Sequence, residues 1–166
     1  TILPAGAWIE YYMLEPVMVM GDPDTPIAWS TGADVGRIIP HVLAHPASRN
    51  AICPVAATSW CSWNELLQVR EQVLGRQVER LQLSAEQWRA AYAQQGPGAI
   101  QTLLAIGVAI ADTPAGMSLF GNWNKTFIPE FKGTPLDELF INTVEPFVAA
   151  MREGLIASGE LPADAN

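Results

Sequence analysis

The first eight residues constrain the fold of this chain more than any other segment. Residues 1–4 form an apolar run that leads into a turn at Ala5 and Gly6. An apolar run bounded by Pro and Gly is typical of a parallel strand that is covered on both faces. Such a strand needs neighbouring strands, and no residue precedes it in this sequence. We therefore expect the chain to be the C-terminal part of a larger α/β protein, or one piece of a cleaved one.

Charge and composition argue against several classes of function. The 166 residues are 49% hydrophobic and 16% charged, which is a globular composition, and they carry a net charge of −8. The nine basic residues are scattered, so a nucleic-acid-binding surface is not expected. No apolar run approaches the ~18 residues of a membrane span, and no signal peptide is visible. A cytoplasmic protein without membrane contact is predicted.

The cysteine and histidine residues do not indicate a metal site. Cys53 and Cys61 are too few for a disulfide scaffold and lack a metal-binding spacing. His41 and His45 are four residues apart, which places them on one helix face, but no HExxH pattern surrounds them. Small buried thiols and ordinary helix residues are the expected roles, and no metal is predicted.

Hydrophobic periodicity and capping patterns predict alternating strands and helices. A polar cap residue is followed three positions later by a carboxylate or amide residue at four places, which are Thr31/Asp34, Ser62/Glu65, Ser84/Gln87 and Asn142/Glu145. Strands are predicted over residues 17–20, 27–29, 51–56 and 78–83, a helix over 99–111 and a loop-rich segment over 112–134. Asp34 and Glu65 are interpreted as helix-capping groups only. The order predicts an α/β fold that finishes in helices.

Four segments, in this order, resemble the NmrA-like and isoflavone-reductase-like family, whose members are atypical short-chain dehydrogenases. They are Thr1-Ile2-Leu3-Pro4-Ala5-Gly6, Gly21-Asp22-Pro23-Asp24-Thr25-Pro26, Asp34-Val35-Gly36-Arg37 and Ser62-Trp63-Asn64-Glu65-Leu66. The match covers residues 1 to about 86 and becomes loose after residue 92. The sequence departs from the family at Asp22-Pro23, where Gly is common, and at Pro40 and Pro54.

The resemblance implies the C-terminal part of a Rossmann-type parallel sheet plus a smaller, mostly helical substrate-binding subdomain. Residues 1–157 would form the substrate-binding half, and residues 158–166 would be a flexible tail. No GxGxxG motif and no Tyr-x-x-x-Lys pair occurs in the sequence. We therefore expect NADP or NAD to be bound mainly by a missing N-terminal half, which would also hold the catalytic residues; none is assigned in this chain.

The predicted cofactor-binding residues follow the opening strand. Ligands of parallel sheets bind at the carboxyl ends of the strands. This rule points to Pro4, Ala5, Gly6 and Ala7 as the residues beside a nicotinamide, with Gly6 allowing close backbone approach. The alternative is that Gly6 is an ordinary turn glycine.

Two groups of apolar and aromatic residues are the predicted substrate-binding residues. The first group follows the opening strand and contains Trp8, Tyr11, Tyr12 and Met13; the second lies in the loop-rich segment and contains Met117, Phe120, Trp123 and Phe127. Such side chains suit a flat aromatic ligand, and the second group would act as a lid. Core packing is the alternative for the first group, and a subunit contact, as in a homodimer, for the second.

The function that the resemblance implies is the substrate-binding portion of an NAD(P)H-dependent oxidoreductase. The whole enzyme would transfer a hydride to a small, aromatic organic molecule, and this portion alone would be inactive. The expected partners are the N-terminal half and the substrate. The alternative is a non-catalytic, NmrA-like regulatory protein that senses the dinucleotide.

Overall fold

The structure is a computed structural model that describes residues 1–98, 101, 105 and 122–162. The predicted helix over 99–111 therefore lies outside the described residues, apart from Gln101 and Ala105, which are helical. Met117 and Phe120 also lie outside the described residues, so their predicted roles are not tested.

Five short strands form two small sheets within the described residues. The strands are β1 (Ala7–Trp8), β2 (Val17–Val19), β3 (Ile27–Ser30), β4 (Ser59–Cys61) and β5 (Arg80–Gln82). In the first sheet β3 is central, parallel to β1 and antiparallel to β4, and all four of its residues are buried. The second sheet pairs β2 with β5 in parallel. Central, covered strands are expected to be continuously apolar, as β3 is except for its last residue.

Residues 1–6 pair in parallel with residues 51–55 of the same chain. The Ile2 amide donates to Ala51 O (3.0 Å), the Val55 amide donates to Pro4 O (3.0 Å), and the Gly6 amide donates to Val55 O (3.1 Å). Pro4 has no N–H group, so one bond of the ladder cannot form. The parallel pairing predicted for residues 1–4 is present. The partner strand of residues 1–6, however, belongs to this chain. Most of the neighbouring strands were expected to come from outside these 166 residues.

The described residues form seven α-helices. They are α1 (Ile9–Tyr12), α2 (Gly32–Ala44), α3 (Trp63–Leu74), α4 (Ala85–Gln94), α5 (Asn122–Phe127), α6 (Leu136–Leu139) and α7 (Glu145–Ala157), with a 3₁₀ turn at Pro46–Ser48 and a π-helical turn at Phe140–Val144. Ser62 and Ser84 form the complete capping boxes that their sequences predict. Gly75 ends α3 in the left-handed conformation, with φ of 64°.

The final helical segment begins earlier than predicted. It starts at Leu136, directly after Pro135, and passes through the π-helical turn into α7. Asn142 therefore lies inside helical structure and does not cap it. Pro135 restricts the backbone at the true start, and Asp137 and Glu138 place negative charge in the first turn, where the helix dipole favours it. Burial of Phe140 and Val144 then secures the π turn.

The loop-rich segment contains a helix that the sequence did not predict. The short helix α5 is tied to residues 54–56 by hydrogen bonds. The Trp123 amide donates to Pro54 O, and the Asn124 side chain both accepts from Ala56 N and donates to Ala56 O, each at 3.1 Å. These bonds join residues that are 68 or 69 positions apart, so no local pattern could reveal them.

Asp34 corrects the prediction of a pure capping group. Thr31 does cap α2, because its hydroxyl accepts from the Asp34 amide. The Asp34 carboxylate is fully buried and turns away from the helix start. It accepts hydrogen bonds from the Thr134 amide (3.1 Å) and hydroxyl (2.8 Å), the Thr58 hydroxyl (2.8 Å) and the Arg37 guanidinium (2.8 Å). Asp34 therefore joins three distant segments of the chain.

The core has two parts. The first core cluster lies among β2, β3, α3 and the final helical segment, and the rings of Trp29 and Trp63 meet there edge to face at 4.7 Å. The second core cluster lies between α2 and the paired strands 1–6 and 51–55, and includes Ile38, Val42 and Val55. Ala7 of β1 and Trp29 of β3 belong to the first cluster, whereas Ala5, just before β1, packs against the second.

Candidate functional site

The carboxyl ends of β1 and β3 lie side by side. The two strands are parallel, and Trp8 is paired with Ser30 at this edge. A buried carboxylate marks the edge, because Glu10 Oε1 accepts a hydrogen bond from the Gly32 amide (3.0 Å) at the start of α2. Its Oε2 atom is also buried and has no hydrogen-bond partner within the described residues. Glu10 was missed from the sequence, although a lone charge among apolar residues after a strand is a usable signal.

The predicted cofactor residues lie just before this edge. Pro4 and Gly6 are engaged in the pairing with residues 51–55, and Ala7 is buried within β1. A Cβ atom at Gly6 would overlap the carbonyl oxygen of Ala28 and lie 2.7 Å from its carbonyl carbon. Close packing of two backbones therefore explains the glycine. A place beside a nicotinamide stays a prediction for these residues.

The predicted aromatic group after β1 separates into different environments. Met13 is fully buried in the first core cluster, as core packing requires. The Tyr12 ring meets the rings of Trp29 (6.2 Å) and Trp63 (6.1 Å), both edge to face. The Tyr11 ring is half exposed and contacts the ring of Phe147 at 5.4 Å. Trp8 is partly exposed, at the edge beside Gly32.

Trp123 and Phe127, of the second predicted group, lie near the end of α2. Their rings are 4.9 Å apart, and both contact the His45 ring at the end of α2, at 5.6 and 5.4 Å. Trp123 is buried in the second core cluster. Among the described residues, no ring contact joins this pair to Tyr11 or Tyr12. Of the second predicted group, the two described members thus lie apart from Tyr11 and Tyr12, and Trp123 is in the core.

An apolar cleft lies where Tyr11 and Tyr12 meet the second sheet. It is lined by Tyr11, Tyr12, Leu14, Met18, Met20 and Trp88. Only the two tyrosines were predicted from the sequence, because Met18, Met20 and Trp88 come from other elements, namely β2, the residue after it and α4. We call this the tyrosine–methionine cleft. Its soft thioethers and aromatic rings suit a flat, apolar ligand.

Burial controls the ionisation of Tyr12 in this cleft. Removal of the phenol from water disfavours its charged form and raises the pKa of Tyr12 to about 12. The hydroxyl therefore keeps its proton throughout the physiological pH range.

We expect the Tyr12 pKa to make the protein less stable in alkali. Above the ordinary tyrosine pKa of about 10, the unfolded chain loses a proton that the folded chain retains until pH 12. Stability attributable to this group therefore falls as the pH rises, by about 1.4 kcal/mol between pH 9 and 11. Urea unfolding at several pH values should show a smaller decline for Tyr12→Phe than for the wild type. Tyr11→Phe is the control and should keep the wild-type decline; an unchanged slope in Tyr12→Phe would contradict the assignment.

One edge of the opening strand has unpaired backbone groups. Ile2, Pro4 and Gly6 direct their polar groups toward residues 51–55, whereas Leu3 and Ala5 direct theirs to the opposite edge. Within the described residues, the amide and carbonyl groups of Leu3 and Ala5 have no hydrogen-bond partner.

One face of the same strand pair is also uncovered. The side chains of Ile2 and Ile52 are adjacent across the pair and are 63% and 64% exposed, whereas α2 covers the other face. Parallel strands are normally covered on both faces. This open edge and its apolar face are therefore suited to receive another strand with its covering segment.

The described residues show neither a metal-binding cluster nor a membrane-spanning helix. Among them, no three His, Cys, Asp or Glu side chains are grouped closely enough to hold a metal ion. No helix in the same part of the chain is both long and apolar enough to cross a membrane.

Comparison with known proteins gives similarity of structure only. No protein-family model matches the sequence, and no curated protein matches it. An isoflavone reductase matches with a TM-score of 0.66 and 19% identity over 84% of this chain and 50% of its own. A leucoanthocyanidin reductase from Vitis vinifera, in complex with NADPH, matches with a TM-score of 0.57 and 17% identity over 90% of this chain and 50% of its own.

A third structure, an NADPH-dependent quinone oxidoreductase from Escherichia coli, matches with a TM-score of 0.54 and 22% identity over 89% of this chain and 53% of its own. This chain shares the fold of these reductases. The resemblance predicted from the sequence is confirmed at the level of the fold, and so is the α/β class. The chain spans about half the length of the structures that it matches.

Proposed function

We propose that this chain is the substrate-binding portion of an NAD(P)H-dependent reductase that transfers a hydride to a small aromatic molecule. The shared fold carries the proposal. Three proteins with this fold are named as reductases or oxidoreductases, and two of those names include NADPH. Isoflavones, leucoanthocyanidins and quinones, which appear in those names, are cyclic oxygenated molecules.

The tyrosine–methionine cleft supports an aromatic substrate. Among the described residues, its lining is apolar except for the polar atoms of two tyrosines and one tryptophan, and none of these residues is charged. A charged substrate would lose its hydration there without gaining an ion pair, which is costly. A neutral ring system loses little hydration and gains contacts with the rings and thioethers.

The open edge supports a division of the reductase into two halves. The unpaired groups of Leu3 and Ala5 could accept a strand of a dinucleotide-binding half, and that half would cover Ile2 and Ile52. In this proposal residues 1–157 contribute the substrate side, and the other half contributes the phosphate-binding loop and the proton donor. Homodimerisation stays a prediction.

We expect the isolated 166-residue chain to bind NADPH no more tightly than the millimolar range and to reduce nothing. A pyrophosphate needs an array of backbone N–H donors at a helix start, and the sequence contains no glycine-rich loop of this kind. Titration followed by nicotinamide fluorescence measures the binding. Affinity on the order of 1 μM would contradict the prediction.

The proposed reductase activity is tested with the natural polypeptide that contains this chain. It should oxidise NADPH or NADH when an aromatic carbonyl compound is present, as the loss of nicotinamide absorbance shows. Tight cofactor binding without oxidation, across a panel of quinones and aromatic ketones, would favour the regulatory alternative. Absence of cofactor binding would refute both.

A further inference from the structure

A cavity of about 550 Å³ is lined by residues of α3, of α7 and of the connectors that follow α1 and α3. This volume is within the range of cavities that hold small organic ligands. One face of α7 lines it, through Glu145, Val148, Ala149 and Arg152, which are spaced at i, i+3, i+4 and i+7. Leu161, which follows α7, adds a further apolar side chain. The wall is therefore partly apolar and partly charged.

Three arginines that are distant in the sequence line this cavity, which we call the arginine cavity. They are Arg70 in α3, Arg76 after α3 and Arg152 in α7. The chain carries only nine basic residues and has a net charge of −8. Although its basic residues are scattered along the sequence, the fold brings a third of them to one cavity.

Two of the three arginines already have carboxylate partners. Arg70 is almost completely buried, and its guanidinium donates to the two Glu145 carboxylate oxygens at 2.7 and 3.1 Å. Arg76 donates to the two Glu15 carboxylate oxygens at 2.8 and 2.6 Å. Each is a two-bond, fork-shaped pair, which holds the guanidinium in one orientation. Arg70 and Arg76 are thus committed to partners within the protein.

Arg152 is the arginine of this wall that has no partner. It is partly exposed and makes no hydrogen bond or ion pair with any residue that the structure describes. Glu79, the remaining acidic residue of the lining, is exposed, and it joins the network only through its backbone amide, which donates to Glu15 at 3.1 Å. The N–H donors of the Arg152 guanidinium are therefore available to a ligand.

The charges and the apolar residues of the wall define the class of ligand. A guanidinium matches the two oxygens of a carboxylate, to which it can donate a pair of hydrogen bonds. A phosphate group carries up to two negative charges, whereas Arg152 is the one unpaired cation among the described lining residues. Val148 and Ala149 lie one turn before Arg152 on the same face of α7 and suit an alkyl chain. A monoanion with an apolar body meets these conditions.

We propose that the arginine cavity binds a small carboxylate with an apolar body. Its carboxylate group would pair with Arg152, and its body would lie against Val148, Ala149 and Leu161. The site is additional to the tyrosine–methionine cleft, and the proposal does not depend on the reductase function. Leu14 lines both cavities, so it is the side chain through which a ligand in one could affect the other.

Hexanoate and hexanamide, which have the same chain and differ in charge, test the proposal. In NMR titration of the 166-residue chain at low ionic strength, hexanoate should bind about tenfold more tightly than hexanamide. The largest shifts should occur at the amides of Val148, Ala149 and Arg152. Arg152→Gln should reduce the ratio of affinities to about 1, because it keeps part of the apolar stem and removes the charge. Arg49→Gln is the matched control and should keep the wild-type ratio, since Arg49 is an exposed arginine outside the cavity.

Equal affinity for hexanoate and hexanamide, or binding of neither, would overturn the proposal. An unchanged ratio in Arg152→Gln, or an equal loss of the ratio in Arg49→Gln, would do the same, because each would show attraction to the chain in general. Hexylammonium should bind no more tightly than hexanamide, and a preference for this cation would mean that the acidic residues dominate the cavity. If Arg152→Gln does not fold, the wild type decides: hexanoate should shift the assigned Arg152 Nε–H resonance, and hexanamide should not.

Discussion

Gly6→Ala should destabilise the protein by at least about 3 kcal/mol and could prevent folding. The added methyl group would overlap the backbone carbonyl of Ala28, in the strand beside it. A clash with backbone cannot be relieved by rotation of a side chain. The conflict also lies where the sheet joins the two core clusters, so a shift of either strand would disturb both.

Gly36→Ala is the matched control for this experiment. Gly36 is exposed within α2, and a Cβ atom there would meet nothing within 4 Å. Because alanine favours a helix over glycine, this variant should gain up to ~1 kcal/mol. Urea unfolding followed by tryptophan fluorescence compares the two. Wild-type stability in Gly6→Ala would show that the strands are not packed as described.

The Gly6 result also bears on the predicted cofactor residues. Gly6 does not have the positive φ that would require glycine at a turn, so the turn alternative does not explain it. Packing against Ala28 requires a glycine whether or not a nicotinamide lies nearby. Loss of folding in Gly6→Ala would therefore not support a cofactor role, and only the natural polypeptide with its cofactor can test that role.

Local signals made part of this fold predictable. The capping boxes at Ser62 and Ser84 and the glycine after α3 are each decided by residues within four positions of one another. The parallel pairing of the opening strand was also predictable, because an apolar run that ends at Pro and Gly is typical of a covered parallel strand. Each of these features depends only on the conformational preferences of neighbouring residues and on the burial of one short apolar segment.

The site was less predictable because distant residues form it. Tyr12 was identified from its position after a strand, but Trp88, which shares its cleft, is 76 positions later in the sequence. Trp123 resembled a lid residue within a glycine-rich segment, whereas hydrogen bonds to residues 54–56 fix its helix in the second core cluster. The sequence shows where along the chain an aromatic residue lies, and it does not show which distant residues will surround its ring.

Asp34 gives the largest expected effect of a polar substitution. Asp34→Ala should destabilise the protein by about 3–5 kcal/mol, the usual cost of removing one partner from a buried charged network. The variant would leave the Thr134 amide and hydroxyl and the Thr58 hydroxyl without their acceptor. Arg37 contributes less to the loss, because its side chain is half exposed and can be hydrated.

Glu65→Ala is the control that distinguishes loss of a helix cap from loss of a buried hydrogen-bond network. Glu65 is an exposed carboxylate that accepts from the Ser62 amide at 2.7 Å and completes a capping box. Loss of a helix cap costs about 1 kcal/mol, so Asp34→Ala should cost at least three times as much as Glu65→Ala in urea unfolding. Similar losses in the two variants would mean that Asp34 only caps α2.

Hydrogen exchange locates the Asp34 effect. The Thr134 amide donates to a fully buried carboxylate, so it should exchange slowly in the wild type. In Asp34→Asn the acceptor is weaker, and the Thr134 amide should exchange faster while amides inside α3 keep their relative protection. Uniform acceleration throughout the chain would indicate global destabilisation alone. Selective acceleration at Thr134 is the result that the geometry requires, because this carboxylate holds that segment against α2.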